Sequence, residues 1–187
     1  MPPKVKISKD AIVQAALDIV RRDGADALNV RAVAGALGCS TQPVFSNFRT
    51  VDALRRAVAD AAEALYTDYQ QADIATGQYP AYKASGMSYI RFAREEKELF
   101  RLLYMRDRSA EEPDGIEKLR PFLSHLQEEL HIGEEEALRF HLEMWAVVHG
   151  IAAMSATGYL TLEPELVSAM LTDIYRGLVD SHTRSEG

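Results

Sequence analysis

The stretch Val30–Leu54, VRAVAGALGCSTQPVFSNFRTVDAL, decides the fold. Asn29 stands in front of it as a helix cap, and Gly38 closes the short helix that runs through Leu37. Ser40 is placed to cap a further helix reaching about Asn47, in which Pro43 is tolerated because first-turn amides have no intrahelical partner. Thr50 caps the next helix, with Asp52 favouring its positive end. Ala34, Gly38 and Val44 fall at relative positions 0, +4 and +10. That spacing offers a small residue where two helices cross, a glycine for a turn of positive φ, and a β-branched residue to seat one helix on the other. It fits a helix-turn-helix module, and an ordinary helical hairpin shares it.

Working outward, almost every stretch reads helical and no run alternates long enough for a strand, so the expected fold class is all-α. Ser8 caps a helix with Ile12, Ala16, Ile19 and Val20 on one face, ended by Gly24. The helix begun at Thr50 carries Leu54, Val58, Ala61 and Leu65 and continues to about Ala75. A turn at Gly77–Pro80 precedes a helical stripe at Tyr82, Gly86, Tyr89, Ile90 and Ala93, then a short helix over about Lys97–Met105. Asp107–Gly115 is a polar loop. Ile116, Leu119, Leu123, Leu126 and Leu130 make an amphipathic helix ending before Gly133, and Glu134 to about Gly158 a long apolar one. Pro164 opens the last, with Val167, Met170, Leu171, Ile174 and Leu178 facing the core.

Met144–Leu162 holds 19 residues without a formal charge, close to the ~20 that a bilayer span requires. It includes His149, Ser155 and Thr157 and lacks close Lys or Arg flanks, so it reads as core plus subunit interface, with no membrane partner.

The net charge of −7 over 187 residues argues at first against a nucleic-acid partner. Split at Val58, however, the first part holds nine basic against five acidic residues, a net +4, and the remainder −11. Such asymmetry marks the first part as a candidate polyanion binder. A single cysteine, Cys39, excludes an internal disulfide, and residues 1–10 carry no apolar signal segment. The expected location is therefore the cytoplasm.

On the residues Val30–Leu54 and the Ile12–Val20 helix before them, the region of about 8–58 resembles the DNA-binding domain of TetR-family transcriptional regulators. The resemblance implies a homodimer on a palindromic double-stranded operator, and often a repressor released by a small molecule. It places Thr41, Gln42, Pro43, Ser46 and Asn47 on the groove-facing side of a recognition helix, with Ser40 in the turn before it. Gln42 and Asn47 carry amides suited to adenine, and Pro43 and the Thr41 methyl can touch a thymine methyl. Arg31 matches a position that reaches base or phosphate, and Lys4, Lys6 and Lys9 form a basic arm. Phe45 stands where the family usually has a phosphate-binding tyrosine, and Val51 where it usually has a lysine. These departures shift phosphate binding toward Arg49 and the amides at Thr50.

Met144–Gly150, MWAVVHG, resembles a Trp-x-x-x-His-Gly signature of one C-terminal domain type in that family. Two readings stay open for it. Trp145 and His149 line an effector cavity with Tyr89, Phe92, Phe100, Leu103 and Tyr104, or Trp145 packs the core and His149 bonds a backbone carbonyl.

No cofactor or metal is expected. His141 and His149 lie eight residues apart, about 12 Å along a helix and too far to share an ion. Phosphate loops, nucleophile elbows and His-Glu-x-x-His motifs are missing. The expectation is a non-enzymatic regulator with a DNA-binding domain at 1–58 and a helical effector-binding and dimerisation domain at 59–187, dimerising through the last two helices. A helical enzyme and a ligand-free interaction dimer are the alternatives.

Overall fold

Side-chain caps set the first helices. Ser8 accepts a hydrogen bond from the Ala11 amide (3.1 Å) and starts α1, Lys9–Asp23. Asn29 accepts from the Ala32 amide (3.0 Å) and starts α2, Val30–Ala36. Thr50 accepts from Ala53 (3.1 Å) and starts α4, Val51–Ala75. Each satisfies an amide that a helix N-terminus leaves without an intrahelical partner. The computed structural model describes residues 7–107 and 116–183. Lys4 and Lys6 of the expected basic arm, and 108–115 of the expected polar loop, lie outside them.

Helix α3, Gln42–Asn47, departs from expectation at its start. Thr41 rather than Ser40 is the cap residue, and it has helical φ and ψ with no side-chain bond to the helix. Pro43 in the first turn removes one orphan amide, which lessens the need for a side-chain acceptor. The remaining elements are α5 Ala81–Glu95, α6 Lys97–Tyr104, α7 Arg120–Leu130, α8 Glu134–Thr157 and α9 Pro164–Thr183, with 3-10 turns at Ala25–Ala27 and Ile116–Lys118. All described elements are helical. Helix α7 begins at Arg120 rather than Ile116, because Pro121 favours a first-turn position. It ends at Leu130, before Gly133 as expected, with His131 at φ of 57° as its left-handed cap.

The described residues fall into two compact units, one of residues up to Asp68 with Glu96–Arg106, the other of Tyr69–Glu95 with those from Asp107 onward. The expected functional division at 58/59 is a different partition of the chain. In the first unit α1 packs on α2 and α6, and α2 on α3. Ile12, Ala16, Val20, Val33, Val44, Leu54, Leu99 and Phe100 fill its interior. On α4, Leu54, Val58 and Ala62 are buried, while Ala61 and Leu65 are half-buried. An ion pair between Arg21 and Glu96 (2.7 Å) closes one side of this unit.

In the second unit α8 is central, packed against α5, α7 and α9. A Cβ added to Gly86 of α5 would stand 3.3 Å from the Val148 methyl of α8, so the missing side chain permits the close approach. No helix among the described residues is long and apolar enough to cross a membrane.

Candidate nucleic-acid interface

The turn before α3 closes with two hydrogen bonds, Gly38 N–H to the Gly35 carbonyl (3.1 Å) and Cys39 N–H to the Ala34 carbonyl (3.0 Å). Gly38 at φ +62° makes this Schellman geometry free of strain, and it reverses the chain within three residues. Helix α3 is then held down by two side chains. Val44 is 0% exposed and Phe48 is buried, four positions apart on one face. The Lys9 ammonium lies over the Phe48 ring at 5.4 Å, joining the start of α1 to the end of α3.

The opposite face of α3 is open. Ser40, Gln42, Phe45, Ser46 and Asn47 are exposed, and Thr41 and Pro43 half-buried. These side chains differ in what they have left to give. The Ser46 hydroxyl donates to the Gln42 carbonyl (2.9 Å) and the Asn47 amide to the Pro43 carbonyl (2.8 Å). Both are bonds back onto their own helix. The Gln42 amide makes no hydrogen bond within the described residues.

Lys9 over the Phe48 ring and Arg49 two residues past Asn47 put cations at the end of α3. Lys9, Arg31 and Arg49 are exposed, and neither Arg31 nor Arg49 has an ion-pair partner among the described residues. By contrast Arg22 is bound to Asp23 (2.6 Å) and Arg55 to Asp52 (3.4 Å). The hydrogen bond from Arg22, reinforced by its charge, holds the Asp23 carboxyl below its ordinary range. Lys9, Arg31, Arg49 and Arg56 thus have no ion-pair partner among the described residues, and Arg31 and Arg49 are among the cations left for phosphate.

The residues expected to line an effector cavity are distributed between the units. Phe100, Leu103 and Tyr104 belong to the first, where Phe100 and Tyr104 have ring centroids 5.0 Å apart. Tyr89, Phe92, Trp145 and His149 belong to the second. There Phe92 meets Tyr69 edge-on at 5.4 Å. His149 Nδ1 lies 3.0 Å from the Tyr89 hydroxyl, and Trp145 stacks on the His149 ring at 5.0 Å. Trp145 is 47% exposed and so is not a core residue, and the Tyr89 hydroxyl is one polar partner of His149.

Sequence reasoning missed a cleft of about 180 Å³ in the second unit, lined among others by Tyr79, Arg91, Arg94, Ser155, Leu162 and Val167. Its one sequence signal is the pair Arg91 and Arg94, three apart on α5. Arg91 is held by Asp73 through two bonds of 2.9 and 3.1 Å. Among the described residues no group of three His, Cys, Asp or Glu is placed to hold a metal ion.

A second tyrosine–histidine pair carries a pH prediction. His141 is buried with Nδ1 3.1 Å from the Tyr82 hydroxyl. Burial lowers the pKa of both His141 and His149. A neutral ring can accept the tyrosine proton at Nδ1 with its own on Nε2, the direction following the tautomer. Because the folded value lies below the ordinary ~6.5, the unfolded chain takes up more protons as pH falls. Stability is therefore full above about pH 6.5 and declines below it. The melting temperature is expected to drop between about pH 7.5 and 5.5, and less in the double variant His141→Gln, His149→Gln. An identical pH slope in wild type and variant would rule out these two rings as its source.

A short helix presented outward behind a glycine turn, with unpaired arginines beside it, defines a helix-turn-helix protein. Residues 82–178 match the family described as tetracyclin repressor-like, C-terminal domain. The chain belongs to the TetR family and is a transcriptional regulator, not an enzyme. It is 22% identical over 160 residues to an uncharacterised helix-turn-helix-type transcriptional regulator of Mycobacterium tuberculosis, covering 83% of this chain and 73% of that one. Two solved structures share the fold at 15% identity. A TetR-like transcriptional regulator from Rhodococcus sp. RHA1 superposes with a TM-score of 0.67, covering 95% of this chain and 98% of that one. A transcriptional regulator from Pseudomonas aeruginosa PAO1 gives 0.65, with 94% and 92% covered.

Proposed function

We propose that this regulator is a homodimeric repressor that places α3 of each subunit in the major groove of a palindromic operator. In this reading residues 1–58 bind DNA and 59–187 dimerise and bind an effector. Binding to DNA would place it in the cytoplasm. The observation that carries the reading is the division of α3, buried at Val44 and Phe48 and open at Gln42, Phe45, Ser46 and Asn47. Lys9, Arg31, Arg49 and the first amides of α4 at Thr50 supply phosphate contacts around it, with Lys4 and Lys6 as an arm ahead of α1.

The two amides are not equivalent. Gln42 is free to pair with adenine, whereas Asn47 must first release the Pro43 carbonyl. On a duplex selected in vitro with this chain, Gln42→Ala is expected to relax base preference at one position per half-site and cost about 1–3 kcal/mol. Asn47→Ala should cost less. Lys6→Ala should weaken all duplexes alike and flatten the salt dependence. Uniform loss from Gln42→Ala across sequences would remove its base-reading role.

Dimerisation is assigned to α8 and α9. Apart from Trp145, which stacks on His149, four of the eight large hydrophobic side chains exposed among the described residues lie on these helices or the loop between them: Leu142, Tyr159, Leu160 and Leu166. An effector of apolar or amphipathic character is assigned, within the second unit, to the aromatic residues Tyr89, Phe92, Trp145 and His149. The Tyr89–His149–Trp145 chain offers such a molecule both a polar and an aromatic contact. Ligand binding would favour a conformer in which the two recognition helices no longer match half-sites about 34–36 Å apart. Trp145→Ala is expected to change the response to ligand while sparing DNA affinity, and an unchanged response would remove this assignment.

A further inference from the structure

We propose that Phe45 reads the 5-methyl group of a pyrimidine in the major groove, so that one thymine per half-site is recognised by apolar contact. The proposal rests on the DNA-binding reading above. Phe45 is 51% exposed, and from residue 7 to residue 73 it is the one large hydrophobic side chain left on the surface. The neighbouring Val44 and Phe48 seat its helix from within the core, and about half of Phe45 is left to meet a partner.

The direction of its face narrows what it meets. Gln42 stands three residues before Phe45, one turn along the same side of α3. Ser46 and Asn47 have turned their polar groups back onto helix carbonyls. Among the exposed side chains of α3, what remains uncommitted is therefore one amide and, one turn on, one phenyl ring, with Pro43 half-buried between them.

A phenyl ring has no group to bond a phosphate, and laid against a polar base edge it would desolvate that edge without replacing its hydrogen bonds. Phosphate binding has better candidates in Arg31 and Arg49, which have no ion-pair partner among the described residues. On the major-groove edges of the four base pairs the one apolar group is the thymine methyl. A helix pairing Gln42 with Phe45 is thus equipped for an adenine amide contact and a thymine methyl contact about one turn apart. A cytosine methylated at carbon 5 presents the same methyl and should satisfy Phe45 equally.

Deoxyuridine differs from thymidine by that methyl alone, so the full chain on its own selected duplex supplies the test. Thymines are replaced by deoxyuridine one symmetric pair at a time and the dissociation constant is measured. Burying one methyl corresponds to about fourfold per half-site and about fifteenfold for a symmetric pair. One pair of positions is expected to show this loss in the unaltered protein. Phe45→Ala should bind the thymine duplex more weakly and be indifferent to the replacement, while Phe45→Leu keeps part of the discrimination. With cytosine at the same position, adding the 5-methyl group should strengthen binding by the unaltered protein and not by Phe45→Ala.

Indifference of the unaltered protein to uracil at every position overturns the methyl contact, and this scan needs no variant. Equal weakening of Phe45→Ala on thymine and uracil duplexes overturns it too, and assigns the ring to sugar or backbone packing. A chain that selects no duplex at all overturns the DNA-binding reading beneath it.

Discussion

Val44→Asp is expected to abolish operator binding and to destabilise the first unit by about 3–5 kcal/mol. Val44 is 0% exposed, on the one face by which α3 contacts the fold. A carboxylate there must leave water without a partner or protonate, and the lowest-energy escape is for the helix to lift away. A six-residue helix cannot stand alone, because nucleation is unfavourable and few propagating bonds follow it. Gln42 and Phe45 then lose their fixed position at the same moment. Val44→Ala removes only methyl groups and should cost about 1–2 kcal/mol, keeping the helix in place and most of the affinity. Urea unfolding with DNA binding measured on both variants separates the two effects. Full operator affinity in Val44→Asp would mean that the rest of the unit, not α3, makes the specific contacts.

What was legible follows from how local each cause is. Ser8, Asn29 and Thr50 act on amides within three residues of themselves, so their positions alone announced α1, α2 and α4. Val44 was readable as inward because its spacing from Ala34 and Gly38 seats one helix on the other. The start of α3 was misread at Ser40, since a proline in the first turn lessens the need for a capping oxygen. The end of α7 before Gly133 was readable, but not that His131 rather than the nearby glycine takes the left-handed conformation, which a side chain adopts at a cost.

Partners far apart in sequence were less accessible. Tyr89 and His149 lie 60 residues apart and meet through the packing of α5 on α8. Residues 96–106 join the first unit despite following α5 of the second. Neither fact has a periodicity or cap to betray it. The same holds for Asn47, whose amide reads from sequence as a base-pairing group and is spent on Pro43. Side-chain commitment depends on rotamers, and a one-dimensional pattern of residue types carries no rotamers.

Leu142→Asp combined with Leu166→Asp is expected to yield a folded monomer of 20.8 kDa whose operator affinity is about 100- to 10,000-fold below that of the parent. The two leucines are 48% and 50% exposed on α8 and α9, so the substitutions leave the subunit core untouched. Exposed replacements of this kind change subunit stability by only about 0.5 kcal/mol. Across a two-fold interface each charge meets the same apolar surface twice and must be desolvated there, which disfavours association strongly. Once subunits separate, the second half-site is no longer held at high effective concentration beside the first, and only single-site affinity remains. Sedimentation equilibrium reads the mass, and titration on full and half operators reads the coupling. The monomer should bind both duplexes with nearly equal affinity per half-site, whereas the parent should prefer the full operator. A double variant that stays dimeric places the interface elsewhere. One that is monomeric yet retains full operator affinity shows that the two recognition helices act independently, and a repressor built on their spacing would then be excluded.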